Sequence, residues 1–191
     1  MARPLLPARA MTEPTPTDPL ERLFRPRSIA IVGASSNPAK IGGVPLALLQ
    51  RLGYAGAIHP VNPGAAELQG LRCHARIADI GAPLDVAIIA LPAAQAEAAL
   101  VEAAEAGVAG AVLFSSGYAE VGEAGRAAQQ RLADIARARG IRLLGPNCLG
   151  FMSPREKVYA TFSPAPLGGV APAGGIGLVS QSGAFGIYAY V

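Results

Sequence analysis

The sequence predicts an α/β protein in which helices cover both faces of a mostly parallel, doubly wound sheet. Five short apolar runs, each bounded by Gly or Pro, alternate with longer helical patterns. Runs that are apolar on both faces are typical of buried parallel strands, and alternation of strands with helices is typical of doubly wound folds. With 51% hydrophobic and 15% charged residues, the 191-residue chain has the composition of a packed globular protein.

The predicted elements follow one another with short loops. The strands are 28–33 (SIAIVG), 56–62 (GAIHPVN), 85–92 (DVAIIALP), 110–116 (GAVLFSS) and 141–146 (IRLLGP). The helices are 44–53, 93–107 and 122–140, each ending at a glycine that can stop a helix. In the last helix Ala128, Leu132 and Ile135 share one face, as expected for a helix that covers a sheet.

Four regions are predicted along the chain. Residues 1–19 contain five prolines and are expected to form a disordered arm. Residues 20–150 form the α/β domain, and the Pro- and Gly-rich stretch 151–174 is a linker with at most an edge strand. Residues 175–191 begin a second domain with a strand, a turn and a helix. One such unit cannot bury its own faces, so the chain is expected to be truncated.

Composition excludes several classes of function. The net charge of +3 comes largely from arginines near the N-terminus, and there is neither a basic stripe nor an aromatic platform for nucleic acid. No apolar stretch is long enough to cross a membrane and no signal peptide is present, so a cytoplasmic protein without membrane contact is expected. Cys73 and Cys148 lack partners at metal-binding spacing and are interpreted as reduced thiols.

The turn after the first predicted strand is rich in groups that suit phosphate. It reads Gly33, Ala34, Ser35, Ser36, Asn37, Pro38, Ala39, Lys40. Open α/β sheets bind ligands at the carboxyl ends of their strands, where helix N-termini favour anions. A dinucleotide site would show G-x-G-x-x-G here and an acidic residue near position 62 for the ribose. Neither is present, because residue 62 is Asn, so the turn favours a ligand with several phosphates.

Further loops follow the other predicted strands. They read VNPG (61–64), ALPA (90–93), SSGYAE (115–120), GPNCLGF (145–151) and SQSGAFG (180–186). With the first turn, this series resembles the CoA-binding domain of the NDP-forming acyl-CoA synthetases, which include succinyl-CoA synthetase α subunits and ADP-forming acetyl-CoA synthetases. The resemblance covers residues 20–191. It implies a Rossmann-like sheet followed by the start of a flavodoxin-like second domain.

The resemblance implies that coenzyme A is the ligand. The residues expected to contact it are Gly33, Ser35, Ser36, Asn37, Pro38, Lys40, Asn62, Pro63, Leu91, Pro92, Ser115, Ser116 and Asn147. By analogy, the first turn holds the phosphates, the Asn62 loop lines the adenosine end, and Asn147 lies near the pantetheine. Many relatives carry a lysine just after Pro63, whereas Gly64 and Ala65 follow here, so Lys40 or an N-terminal arginine would have to supply that charge.

A second anion site is expected near the C-terminus. In this family a phosphoryl group passes from an acyl phosphate to a histidine and then to a nucleoside diphosphate. The resemblance implies that Ser180, Ser182 and the N–H of Gly183 face that phosphate, with a helix dipole behind them. The catalytic histidine lies downstream of this turn, and His59 and His74 do not match it.

The chain alone is therefore expected to be inactive and to need the remaining ligase domains or a β-type subunit. Three alternatives stay open. A stand-alone CoA-binding or regulatory protein would be expected to end near residue 150. The opening of an acetyltransferase fusion would share the same first domain. An NAD(P)-dependent oxidoreductase is disfavoured by the absent glycines and by Asn62. Glu120 is the acidic residue that the loops place at the ligand-facing edge.

Overall fold

The computed structural model describes residues 18–190 and contains nine strands in this part of the chain. They are β1 Ser28–Val32, β2 Ala57–Val61, β3 Glu67–Leu68, β4 Leu71–Arg72, β5 Val86–Ile89, β6 Gly110–Leu113, β7 Arg142–Leu144, β8 Gly150–Ser153 and β9 Val158–Thr161. Five of them form a parallel sheet in the order β2-β1-β5-β6-β7. The pairs β3–β4 and β8–β9 are antiparallel hairpins. The five predicted strands and their parallel arrangement are confirmed.

Helices cover both faces of the sheet. They are α1 Pro19–Phe24, α2 Val44–Arg51, α3 Ala93–Glu105, α4 Glu123–Arg139 and α5 Gly183–Tyr190. One face carries α3 and α4, whose apolar side chains share a core with alternate residues of β1, β5 and β6. The other face carries α1, α2 and the hairpin β8–β9. Every residue of β1, β5 and β6 is buried, which explains why these strands are apolar except for Ser28 at the start of β1.

The strand order locates a ligand crevice. Counted within the parallel sheet the order is 2-1-3-4-5, so the winding direction reverses between β1 and β5. Ligands of doubly wound sheets bind beyond the carboxyl ends of the strands at such a reversal. Here the loop after β1 and the loop after β5 lie close together: a Cβ added to Gly33 would be 2.6 Å from the carbonyl oxygen of Ala90. The first turn, which the sequence singled out, therefore starts at the crevice.

Helix α1 was not predicted. Residues 1–17 of the predicted arm 1–19 lie outside the described residues. The last two residues of that range belong to the start of α1, with Asp18 as its N-cap and Pro19 as its first residue. The Asp18 carboxylate accepts a hydrogen bond from the N–H of Leu20 at 2.9 Å and so caps the helix. The Arg22 Nε donates to Asp85 Oδ1 at 2.7 Å, which fixes α1 across the amino-terminal end of β5. Six residues with a leading proline carry too weak a periodic signal to be recognised as a helix.

The prediction of a linker over 151–174 is wrong for its first part, because the hairpin β8–β9 extends to Thr161. Val158 and Ala160 enter the core beneath β1, and the ring of Tyr159 packs against Val44 and Leu48 of α2. This hairpin was not predicted because its two strands are short and a proline lies in the turn between them. The hairpin belongs structurally to the α/β domain.

The segment from 175 onward differs in part from the prediction. Helix α5 forms as expected, but residues 175–180 pair with no strand in the part of the chain that the structure describes. Ile176 is 97% exposed and Val179 is fully exposed, so neither side chain has a covering layer. A strand needs a hydrogen-bonding neighbour, and none of the described strands reaches this segment.

The stability of the fold is expected to decrease above about pH 10, where tyrosines of the unfolded chain ionise. Burial and then the nearby Tyr190 raise the pKa of Tyr159 to about 12. Burial and then the Asp85 carboxylate also raise the pKa of Tyr54, whose hydroxyl donates to the Pro26 carbonyl. Folding therefore keeps both groups protonated, so their contribution is complete below pH 10 and is lost as the pH rises towards 12.

Urea unfolding followed between pH 8 and pH 11.5 measures this dependence. The variant Tyr159→Phe should show a shallower loss of stability over the same range, because one of the two protonation-linked groups is gone. An unfolding midpoint that stays constant from pH 9 to pH 11 would contradict the prediction.

Candidate functional site

The first turn, residues 33–43, folds back on itself through its own hydrogen bonds. The N–H of Ser35 donates to the carbonyl of Gly42 at 3.3 Å, which closes the turn. Inside it, the N–H of Asn37 donates to Ser35 Oγ at 3.2 Å, and Asn37 Oδ1 accepts from the N–H of Ala39 at 2.9 Å. The Asn37 side chain thus shapes the turn from within through its Oδ1, and its predicted contact with a ligand stays a prediction.

Two glycines that the sequence analysis did not single out make this turn possible. A Cβ at Gly42 would lie 2.0 Å from the carbonyl oxygen of Gly33, and one at Gly43 would lie 1.9 Å from the carbonyl oxygen of Asn37. Both neighbours are backbone atoms, which cannot rotate away as a flexible side chain could. Gly42 and Gly43 therefore take the role that the absent fingerprint glycines have in dinucleotide sites. Their pairing at the helix start was the signal in the sequence.

The turn leaves several donors open to a ligand. Within residues 18–190, the N–H groups of Ser36, Ile41 and Gly42 and the Lys40 ammonium have no partner in the protein. The side chains of Ser36 and Lys40 are exposed, and the turn itself contains no carboxylate. Exposed N–H, hydroxyl and ammonium groups without a competing negative charge suit phosphate. The donor set therefore fits the phosphates of a nucleotide-like ligand.

Asn62, at the end of β2, connects its loop to the first turn. Its Nδ2 donates to the carbonyl of Ala34 at 2.9 Å, and its Oδ1 accepts from the N–H of Gly64 at 2.8 Å. Both ends of the amide are thus used within the protein. Pro63, the next residue in this loop, is exposed. The role of the loop at the adenosine end of the ligand remains a prediction.

The loops after β5, β6 and β7 meet beside the first turn. A Cβ on Gly33 would lie 2.9 Å from the Leu91 side chain. The Ser115 hydroxyl donates to the carbonyl of Leu91, and the N–H of Asn147 donates to the carbonyl of Ser115 at 2.8 Å. The predicted contact residues therefore form one connected ledge, which we call the carboxyl edge, from Asn62 through the first turn to Asn147.

Glu120 shapes the loop after β6. Its carboxylate accepts a hydrogen bond from the N–H of Gly117 at 2.6 Å. This bond from Gly117 is the main reason that the pKa of Glu120 lies below its usual value. The carboxylate is therefore a fixed acceptor that closes the SSGYAE loop, which is a structural role at the ligand-facing edge.

The residues of the second predicted anion site lie at the start of α5. The Ser180 hydroxyl donates to the carbonyl of Ser182 at 2.9 Å, and Ser182 Oγ accepts from the N–H of Phe185 at 3.3 Å. Ser182 thus caps α5, and Gly183 lies against the Leu149 side chain, 2.7 Å from a Cβ position. Leu149, which Gly183 contacts, lies two residues after Asn147. The role of Ser180, Ser182 and Gly183 towards phosphate stays a prediction.

The two cysteines lie next to the carboxyl edge, since Cys73 Sγ donates to the carbonyl of Asn62 at 3.5 Å and Cys148 directly follows Asn147. His59 and His74 pack edge to face with ring centroids 5.7 Å apart. Burial and then His74 lower the pKa of His59, so its imidazole is neutral at pH 7. Burial raises the pKa of both Cys73 and Cys148, which keeps the two thiols protonated and unreactive.

In the described part of the chain, no helix is long and apolar enough to span a bilayer. The same residues hold no group of three or more His, Cys, Asp or Glu side chains that could bind a metal ion.

Known proteins resemble this chain over most of its length. The family model described as CoA binding domain matches residues 27–154. The chain is 36% identical over 167 residues to the ADP-forming acetate-CoA ligase II subunit alpha of Pyrococcus furiosus, covering 87% of this chain and 35% of that protein. It is also 36% identical to a trans-feruloyl-CoA synthase from an unknown prokaryotic organism, covering 86% of this chain and 24% of that one.

A solved structure has the same fold. The dinucleotide forming acetyl-coenzyme A synthetase 1 of Candidatus Korarchaeum cryptofilum, in complex with phosphate and ADP, superposes with a TM-score of 0.82 at 38% identity. The match covers 90% of this chain and 36% of that chain. The chain thus spans about a third of the length of this structure and of the Pyrococcus subunit. Because the family model matches more than half of its residues, the chain belongs to the CoA binding domain family.

Proposed function

We propose that the carboxyl edge binds coenzyme A and that the chain is the CoA-binding portion of an NDP-forming acyl-CoA synthetase. The observation that carries this proposal is the folded-back first turn, which presents the free N–H groups of Ser36, Ile41 and Gly42 beside the Lys40 ammonium. Three phosphate groups of CoA need many donors and no nearby carboxylate. The turn supplies both conditions at the reversal point of the sheet.

The rest of the edge supports an extended ligand. From the first turn, a molecule running towards Asn147 would pass the Leu91 side chain, the exposed Pro92 and the Ser116 hydroxyl. This surface changes from charged and polar to apolar and back to polar. CoA has the same sequence of groups, since its phosphates are followed by a flexible pantetheine with amide and methyl groups. The match in chemistry favours CoA over a short nucleotide.

The complete reaction would join an acid to CoA with hydrolysis of a nucleoside triphosphate to the diphosphate and phosphate. In this proposal the present chain binds and orients CoA. The phosphorylated histidine and the nucleotide site come from further ligase domains or from a β-type subunit. One matched relative is named an alpha subunit, which is consistent with a divided enzyme. Relatives named for acetate and for ferulate differ in their acid, so no acyl group is assigned.

Isothermal titration of the purified chain with CoA, dephospho-CoA and NAD tests the ligand. We expect measurable binding of CoA, weaker binding of dephospho-CoA because it lacks one phosphate, and no binding of NAD because Asn62 cannot accept hydrogen bonds from both ribose hydroxyls as a carboxylate does. Raising the salt concentration should weaken CoA binding. Absence of CoA binding would overturn the proposal, and binding of NAD alone would favour an oxidoreductase.

A matched pair of lysine variants locates the site within the same experiment. Lys40→Ala should weaken CoA binding about threefold at low salt, the effect of one exposed charge contact. Lys157 is also exposed, but it lies beside Gly53 at the other end of α2, so Lys157→Ala should leave the affinity unchanged. The two variants change the net charge equally. Equal effects would mean that only overall charge attracts CoA.

A further inference from the structure

The hairpin β3–β4 places one glutamine against the first turn. Gln69 occupies the tip of this hairpin with φ of +49°, a left-handed conformation. Its side-chain Nε2 donates to the carbonyl of Ser35 at 2.9 Å and to the carbonyl of Gly43 at 3.2 Å. Both amide protons of Gln69 are therefore used on the backbone of the turn. No pattern in the sequence indicated this contact.

The two acceptors are the two ends of the turn. Ser35 lies three residues after the last residue of β1, and Gly43 directly precedes α2. We call the residues around Ser35 and those around Gly43 the two arms of the turn. Within the turn, the hydrogen bond that joins these arms is the one from the N–H of Ser35 to the carbonyl of Gly42, at 3.3 Å. The Gln69 amide adds a second bridge between the arms, from outside the turn.

We propose that Gln69 is a positioning residue for the CoA phosphates. By holding both arms at a fixed separation, its amide keeps the turn in the conformation that presents the N–H groups of Ser36, Ile41 and Gly42. A ligand then binds without first ordering the turn, and affinity rises by the fraction of molecules already in the competent conformation. The inference rests on the proposed binding of CoA to this turn.

The chemistry of the contact selects glutamine. Two carbonyl acceptors need one group with two N–H donors in a fixed plane, which a primary amide supplies. A carboxylate at this position can only accept and would face both carbonyls and the ligand phosphates. A leucine fills similar volume without any donor, and an asparagine is shorter by one methylene group. The hairpin backbone is itself held, because Gln50 Nε2 donates to the carbonyl of Gln69 at 3.1 Å.

Titration of CoA into three variants tests the proposal. Gln69→Leu should weaken CoA binding about tenfold, the effect of two ordinary hydrogen bonds. Gln69→Glu should weaken it further. Gln50→Ala is the matched control, because it removes an amide hydrogen bond to the same hairpin tip but leaves the Gln69 side chain its contacts with the turn. It removes one hydrogen bond rather than two, so it should reduce thermal stability less than Gln69→Leu does, and it should change CoA affinity less than twofold.

Amide hydrogen exchange provides a readout that does not need CoA. In Gln69→Leu, the N–H of Ser35 should exchange at least fivefold faster, while the N–H of Ala90, bonded to β1 at 2.8 Å, should not change. Lower stability with unchanged CoA affinity and unchanged Ser35 exchange would overturn the inference. If the unmodified chain does not bind CoA, the proposed function fails. The Ser35 exchange rate then still decides whether Gln69 holds the turn.

Discussion

Replacing Gly42 by alanine is expected to weaken CoA binding at least tenfold and to destabilise the protein by about 1–3 kcal/mol, the usual cost of an overpacked position. The new Cβ would lie 2.0 Å from the carbonyl oxygen of Gly33, the residue that directly follows β1. Neither backbone can move without breaking the Ser35–Gly42 hydrogen bond. The turn must open, and the donors that surround it lose their arrangement.

Calorimetric titration with CoA and thermal unfolding of the same variant measure the two effects. Gly169→Ala serves as the matched control, because a Cβ there meets no atom within 4 Å and its φ is not in the left-handed region. We expect the control to behave like the unmodified protein in both measurements. An alanine at 42 that leaves CoA affinity intact would mean that the ligand does not use this turn.

Asp85→Ala is expected to destabilise the protein by about 3–5 kcal/mol, as removal of one partner of a buried ion pair does. Asp85 is 4% exposed. Its Oδ1 accepts from the Arg22 guanidinium at 2.7 Å, and its Oδ2 accepts from the N–H of Arg27 at 2.8 Å. The variant leaves a half-buried guanidinium and a backbone N–H without these acceptors, and it releases α1 from the sheet.

The exposed pair Arg137–Asp134 is the control for this effect. Its N···O distance of 2.8 Å is nearly the same, but the aspartate side chain is 59% exposed rather than 6%. Asp134→Ala should therefore cost no more than about 0.5 kcal/mol. Urea unfolding of both variants measures the difference. Similar losses at the two sites would show that burial does not strengthen the Asp85 interaction.

The parallel sheet could be predicted because its strands carry a simple signal. Residues of β1, β5 and β6 are buried on both faces, and such strands are apolar throughout. Helix α1 and the hairpins could not be predicted in this way. They owe their conformation to contacts with distant residues, as when Arg22 binds Asp85 or Tyr159 packs on α2. A local pattern contains no information about such partners.

The candidate site was predictable to a similar degree. Ser35 and Ser36 were identified from their position after a strand, and Asn62 and Ser115 from the resemblance to the family. The structure joins their loops at one edge. Gln69 could not be identified, because it lies in a loop 34 residues beyond Ser35 and its amide reaches the turn only in the folded state. Asn62 was identified, but the hydrogen bonds of its amide to Ala34 and Gly64 were not predicted.

Helix α1 is part of the folded domain but lies outside the residues that the family model matches. The family match starts at residue 27, three residues after α1 ends. A protein shortened to that boundary would retain every matched position, yet it would lose the Leu23 side chain from the core and the edge-to-face contact of Phe24 with Phe151 at 5.2 Å. A version of this domain that is fused to another protein should therefore begin at Asp18, so that it keeps α1 packed against the sheet.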